Sequence, residues 1–274
     1  MNSPHISFIG GGNMARSLIG GLIGNGEPID RLSVAEPNLE LREALARDFG
    51  VAVHADNNDA ARSADVLLLA VKPQVMKTVC TGLRTLAQAR KPLLISIAAG
   101  VRLTQLEAWL GGDMPIVRCM PNTPALIGAG ATGAYANARC TDAHRATAQN
   151  ILSAAGTTAW IDDEALMDTV TALSGSGPAY FFLLVEALVD AAVAQGLPHE
   201  IARALATQTA LGAGRMLRED AAAPAELRRR VTSPGGTTQA ALESFAASNF
   251  NAMVARAVAA ATQRGGELSA QLDG

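Results

Sequence analysis

The stretch HISFIGGGNMARSLIGGLI, residues 5–23, limits what this chain can fold into more than any other segment. A run suited to a buried strand meets three consecutive glycines and then a helical apolar pattern through Leu18, Leu22 and Ile23. The spacing is G-x-G-x-x-A. Gly10 permits a tight turn, Gly12 lets a pyrophosphate approach the backbone, and Ala15 is small enough for close helix-to-strand packing. Glu36 closes the next strand-like run, Leu32–Ala35, where an acidic residue can take a ribose hydroxyl. Taken by itself the motif also admits a plain glycine-rich turn with no ligand.

Further strand-like runs follow at Val51–Val53, Val66–Val71, Leu93–Ile97, Ile116–Met120, Ala131–Tyr135 and Thr158–Ile161, with helical patterns between them. Such alternation predicts an α/β, Rossmann-type doubly wound sheet over residues 1–163. Beyond Asp163 the strand signals stop. Alanine-rich helical segments then run over Asp163–Leu173, Pro178–Gln195, His199–Arg218, Ala225–Val231 and Thr237–Gly265, so residues 164–274 are expected to form an all-α domain. Its Ala and Leu stripes are broader than one small domain can bury, which predicts a homodimer at least.

With 49% hydrophobic residues in 274, the chain can bury a core in each of two domains. Charged residues make up 17% and the net charge is −3, which gives no electrostatic grip on nucleic acid or an anionic membrane. Arg228-Arg229-Arg230 is the local exception, either a solvated helix end or a contact for a cofactor phosphate. The apolar stretch Ala179–Val193 is interrupted by Glu186 and Asp190, so neither a membrane span nor a secretory signal is expected. Cys80, Cys119 and Cys140 are odd in number and lack C-x-x-C spacing. Reduced thiols in a cytoplasmic protein are expected, with no disulfide and no metal site.

Several turns have the composition of ligand contacts. Ala70-Val71-Lys72-Pro73 and Ser96-Ile97-Ala98-Ala99-Gly100 close two strand runs, at the carboxyl ends where this architecture binds ligands. Lys72 can reach a phosphate or ribose there, or simply face solvent. Met120-Pro121-Asn122-Thr123-Pro124 is a stiff turn that suits a nicotinamide pocket or a plain exit from the sheet. Leu173-Ser174-Gly175-Ser176-Gly177-Pro178 opens a long helix. The segment Thr232-Ser233-Pro234-Gly235-Gly236-Thr237-Thr238 precedes another helix, with Thr237 or Thr238 available as its cap. Free amides and the positive helix end there would hold a carboxylate or phosphate, with Ser233, Thr237 and Thr238 supplying hydroxyls. An ordinary capped loop is the alternative.

Taken in order, the strings FIGGGNMA, AVKPQ, SIAAGV, MPNTPA, LSGSGPAYFF and RRRVTSPGGTT resemble the pyrroline-5-carboxylate reductase family from end to end. The resemblance implies a Rossmann domain and a helical dimerisation domain, assembled as homodimers and as a decamer of five dimers. It also implies hydride transfer from NADPH or NADH to L-1-pyrroline-5-carboxylate, the last step in making L-proline. By the same resemblance Gly10, Gly12, Asn13 and Met14 hold the cofactor pyrophosphate. Asn57 and Lys72 face its riboses, and Ala70 and Ala99 line its path. Ser233 with the backbone of Gly236 and Thr237 holds the substrate carboxylate, Thr238 contacts the ring nitrogen as the catalytic hydroxyl, and Glu164 lies near the substrate. A first-turn acid that only steadies a helix start is the other reading of Glu164. The chemistry is compatible, because a cyclic imine protonates near neutrality and needs an orienting hydroxyl more than a strong acid.

Two rival readings are weaker. A β-hydroxyacid dehydrogenase needs a catalytic lysine in its helical domain, and the lysines here are Lys72, Lys77 and Lys91. A non-catalytic NAD(P)-binding sensor would use the same glycines but gives no reason for SGSGPAY and TSPGGTT to occur together. For cofactor choice, Glu36 favours NADH if it faces the ribose. If it turns outward behind Pro37, Asn38 and Arg42 can accept the 2′-phosphate of NADPH.

Overall fold

The computed structural model describes residues 3–272. Eight strands form one sheet: β1 (Ile6–Ile9), β2 (Leu32–Ala35), β3 (Ala52–His54), β4 (Val66–Leu69), β5 (Leu93–Ser96), β6 (Ile116–Met120), β7 (Gly130–Ala136) and β8 (Gly156–Trp160). Their spatial order is 3-2-1-4-5-6-7-8. Every neighbouring pair is parallel except β6 and β7, which run antiparallel. The order reverses between β1 and β4, where Ile9 lies opposite Ala35 on one side and Leu69 on the other. Ligands of open α/β sheets bind beyond the carboxyl ends of strands at such a switch point.

Strand periodicity explains how the sheet is covered. Ile6 and Phe8 face one layer with Leu18, Ile19 and Leu22 of α1 (Asn13–Gly24), while Ile9 joins the opposite layer with Met76, Cys80 and Leu83 of α4 (Pro73–Arg90). Ser7, the polar member of β1, is satisfied in place, since its hydroxyl meets Ser33 Oγ at 2.7 Å and the Ala60 carbonyl at 2.7 Å. The other helices of this part are α2 (Leu39–Phe49), α3 (Asn57–Ala61), α5 (Leu103–Leu110), α6 (Asp142–Ser153) and α7 (Met167–Val170). β4 ends at Leu69 rather than at Val71, because Lys72 is already the N-cap of a helix that Pro73 opens.

Two compact units are present. The first runs through Ser176 and takes in the chain from Ala261 onward; the second covers Gly177–Ala260. The second unit contains α8 (Gly177–Ala194), α9 (His199–Glu219), α10 (Pro224–Arg230), α11 (Thr237–Ala247) and the start of α12 (Phe250–Gln271). The helix expected over Thr237–Gly265 is broken, because Asn249 adopts a left-handed conformation at φ 54°, which asparagine tolerates better than most residues. The first unit ends in a π-helical turn, Thr171–Gly175, where Ser176 N–H reaches the Thr171 carbonyl at 2.8 Å. Periodicity could not foresee that widening, which is common at functional sites.

In the second unit α8 packs against α9, yet Phe181 is 65% and Phe182 67% exposed. By length and composition alone, the helical stretch Glu164–Ala194 is apolar enough to cross a membrane. That criterion rests on length and composition only, and Glu186 and Asp190 interrupt the apolar run, so the helix is not read as a membrane span. A face of this kind requires cover.

The three cysteines are free. Burial pushes the Cys80 thiol up to about 12 and the Cys119 thiol further still, while Cys140 is half-buried and raised less. A thiol reagent at pH 8 should therefore label native protein at Cys140 alone, and all three after unfolding. Rapid native labelling of Cys80 or Cys119 would contradict this packing.

Candidate active site

At the carboxyl end of β1 the chain turns in a way only glycine supports. Gly10 has φ +100°, and a Cβ there would sit 2.8 Å from the Ala70 carbonyl oxygen. Main-chain bonds hold the turn from both sides: Gly10 N–H donates to the Ala35 carbonyl at 2.9 Å, and Ala70 N–H to the Ile9 carbonyl at 2.8 Å. Gly12 is different. It is extended, it is the N-cap of α1 without any side-chain cap bond, and the space beside it is open. No acidic residue lies in the first turn of α1, so the amides of Asn13 and Met14 face an uncapped, electropositive helix start. These residues fit a dinucleotide pyrophosphate, which needs unpaired N–H groups and close access to the backbone.

The other cofactor candidates occupy strand ends around this turn. Ala70 contacts Gly10 directly, and Lys72 is an exposed N-cap after β4. Asn57 opens α3 after β3, half-buried behind the Asp56 cap, and Ala99 is exposed after β5. Glu36 is 9% exposed, and its Oε2 accepts from Gly11 N–H at 2.9 Å. The carboxylate thus faces the glycine-rich turn itself.

Glu164 is held by two elements. Its Oε1 accepts from Arg118 Nη1 at 2.7 Å and from Leu103 N–H, at the start of α5, at 2.9 Å. Arg118 lies in the middle of β6 and is 4% exposed, so Glu164 neutralises a buried cation. Neither partner was foreseen from sequence, although a lone arginine inside the apolar run IVRCM was a usable signal, since buried arginines are paired. Asn122 is a second unforeseen brace. Its Oδ1 accepts from Ala131 N–H at 2.8 Å and its Nδ2 donates to the Ser174 carbonyl at 3.0 Å, tying the Met-Pro-Asn-Thr-Pro turn to the π-helical turn.

The anion-loop candidates lie in the second unit, between α10 and α11. Gly235 is left-handed at φ +72°, and its N–H donates to Gln239 Oε1 at 2.8 Å. Gly236 is the N-cap of α11 and no side chain caps the helix. Thr237 and Thr238 are the first two helical residues, so neither hydroxyl is used as the cap expected from sequence. That leaves the amides of Thr237 and Thr238 and their hydroxyls free to face a ligand, with Ser233 exposed beside them. Of the arginine run before the loop, Arg229 and Arg230 pair with Glu226 and Arg230 also with Asp220. The arginines hold the Glu226 carboxyl below the usual carboxylate range, and Arg228 stays exposed, as a solvated helix end would.

Comparison with known proteins gives consistent results. Residues 164–268 match the family described as "Pyrroline-5-carboxylate reductase dimerisation", and residues 5–100 match "NADP oxidoreductase coenzyme F420-dependent". A pyrroline-5-carboxylate reductase of Pseudomonas aeruginosa is 53% identical over 274 residues, covering 99% of each chain. The solved structure of a pyrroline-5-carboxylate reductase from Coxiella burnetii superposes with a TM-score of 0.95 at 43% identity, covering 97% of this chain and 99% of that one. Plasmodium falciparum pyrroline carboxylate reductase, solved with NADP bound, gives a TM-score of 0.83 at 30% identity, covering 98% and 99%.

Proposed function

The chain belongs to the pyrroline-5-carboxylate reductase family, and on that premise we propose that it reduces L-1-pyrroline-5-carboxylate to L-proline with NAD(P)H. The full-length identity to a reductase of that name carries this reading most strongly. When bound, NAD(P)H supplies a hydride to the imine carbon. The protein's part is to bind, orient and neutralise. Gly10, Gly12, Asn13 and Met14 hold the pyrophosphate, Asn57 and Lys72 meet the riboses, and Ala70, Ala99 and Glu36 complete the cradle.

On the substrate side, the uncapped start of α11 is suited to the carboxylate, which Ser233, Gly236 and Thr237 would grip through a hydroxyl and main-chain amides. Thr238 Oγ1 hydrogen-bonds the ring nitrogen and fixes the face of the ring that receives the hydride. The nitrogen arrives protonated and keeps its proton in the product, so the hydroxyl orients the ring without having to deliver one. Glu164 borders the substrate in this reading. Its Oε2 has no protein partner among the described residues, which leaves it able to accept a further bond.

A functional division into a cofactor-binding domain over 1–163 and a dimerisation and substrate-binding domain over 164–274 goes with the dimerisation match beginning at residue 164. The chain forms homo-oligomers, and the exposed face of α8 is what a second copy would cover. A homodimer is the unit proposed, with a decamer of five dimers as the larger assembly. A cytoplasmic setting agrees with the unpaired thiols.

The test is the fall in NADPH and NADH absorbance on addition of L-1-pyrroline-5-carboxylate. Thr238→Ala should lower kcat/KM about three- to tenfold, the worth of one hydroxyl hydrogen bond to a ring that stays otherwise held. Binding of cofactor without any oxidation would replace the reductase with a sensor.

A further inference from the structure

At the edge of the sheet where β1 begins, opposite the end that leads into the glycine-rich turn, lies a cavity of about 430 Å³. Ile6, Leu22 and Ile151 give it a buried apolar lining. The rest of its wall is polar, with Asn25 and Glu27 just after α1 and Asn150 and Ser153 in the last turn of α6. Two helices therefore present their negative ends to one space. Neither has a basic residue in its last turn, and among the described residues no Lys, Arg or His lines the cavity.

Glu27 brings the cavity its formal charge. Its N–H donates to the Leu22 carbonyl at 2.9 Å, which fixes the residue at the end of α1, while its Oε1 is buried with no hydrogen-bond partner among the described residues. Buried carboxylate oxygens are paired or hydrogen-bonded, so this one calls for a donor that the surrounding side chains do not supply. The surroundings limit its chemistry. One carboxylate is too few oxygens for calcium or magnesium, and no group of His, Cys, Asp and Glu among the described residues could hold a metal ion. An ammonium, with three N–H donors, can meet the carboxylate and neighbouring amide or hydroxyl oxygens together, and the apolar lining accepts a short hydrocarbon body. A long polyamine is disfavoured, because the adjoining cavity, which shares Pro4 and Thr147, carries Arg90 and Lys91.

We propose that this cavity binds a primary alkylammonium group, with Glu27 as its counterion and the carboxyl ends of α1 and α6 as electrostatic support. The site uses none of the proposed cofactor or substrate residues, so its failure would leave the reductase reading untouched. The experiment is isothermal titration of the cofactor-free chain with n-butylammonium chloride, against 1-butanol and ammonium chloride at one ionic strength. It is run on the unmodified chain, Glu27→Gln and Asn150→Lys, with a thermal melt of each. Butylammonium should bind at a single site with a dissociation constant of about 1 mM or below, about tenfold or more tighter than either the uncharged body or the bare ion. Glu27→Gln should melt like the unmodified chain and weaken butylammonium about tenfold, as expected for loss of one charge-assisted contact. Asn150→Lys, which tethers an ammonium at the end of α6, should block butylammonium and raise the melting temperature by roughly 1–3 °C. Equal binding of 1-butanol or of ammonium chloride, or undiminished binding in Glu27→Gln, would overturn the proposal. Should Glu27→Gln fail to fold, undiminished binding in Asn150→Lys would overturn it alone.

Discussion

Gly10→Ala should abolish useful cofactor binding, raising the dissociation constant for NADPH about a hundredfold, and should lower the melting temperature by roughly 10 °C. Two costs add. The backbone at φ +100° is outside the region that L side chains tolerate, and a Cβ would lie 2.8 Å from the Ala70 carbonyl oxygen and 3.0 Å from its carbon. Those are backbone atoms, pinned because Ala70 N–H bonds Ile9 and Gly10 N–H bonds Ala35. Relief therefore requires the whole turn to move, at about 2–5 kcal/mol for strain and overpacking together. The amides of Asn13 and Met14 move with it. Gly12→Ala separates the two effects, because its backbone is extended and its Cβ would enter open space. That variant should melt like the unmodified chain yet bind cofactor more weakly if the pyrophosphate sits at the proposed site, because the methyl would then stand in its way. Tight binding by Gly12→Ala would place the pyrophosphate elsewhere.

Much of the architecture could be read from local patterns. The order of the eight strands' sequence runs, the switch to helices after Asp163 and the glycine turn all rest on periodicities of two and 3.6 and on the φ freedom of glycine, which are properties of short segments. What stayed hidden is partly local backbone departure and partly dependence on partners distant in sequence. The π-helical turn at Thr171–Gly175 and the break at Asn249 are single-residue departures within helical patterns. The brace from Glu164 to Arg118 spans 46 positions and that from Glu36 to Gly11 spans 25, so composition could propose an acid near a ligand but not what its oxygens already hold. The uncapped start of α11 had the opposite fate. Thr237 and Thr238 suggested a cap, and because Gly236 occupies that position neither threonine hydroxyl is used as one.

Glu164→Ala should destabilise the chain by about 3 kcal/mol, at the lower end for a broken buried pair because the Glu164 side chain retains 23% exposure. Most of the loss comes from Arg118. Its side chain is 5% exposed in the middle of β6, and without the carboxylate its charge would be buried with no counterion. Leu103 N–H, at the first turn of α5, would lose its acceptor as well. Arg118→Met added to Glu164→Ala should restore most of the stability, because removing both members of a buried pair costs far less than removing one. The double variant also decides what else the carboxylate does. With the fold restored, a brace with no other role predicts an unchanged KM for L-1-pyrroline-5-carboxylate, whereas a carboxylate that meets the substrate predicts a KM that stays raised. Thermal melts that fall equally in the single and double variants would remove the buried pair from the account of stability altogether.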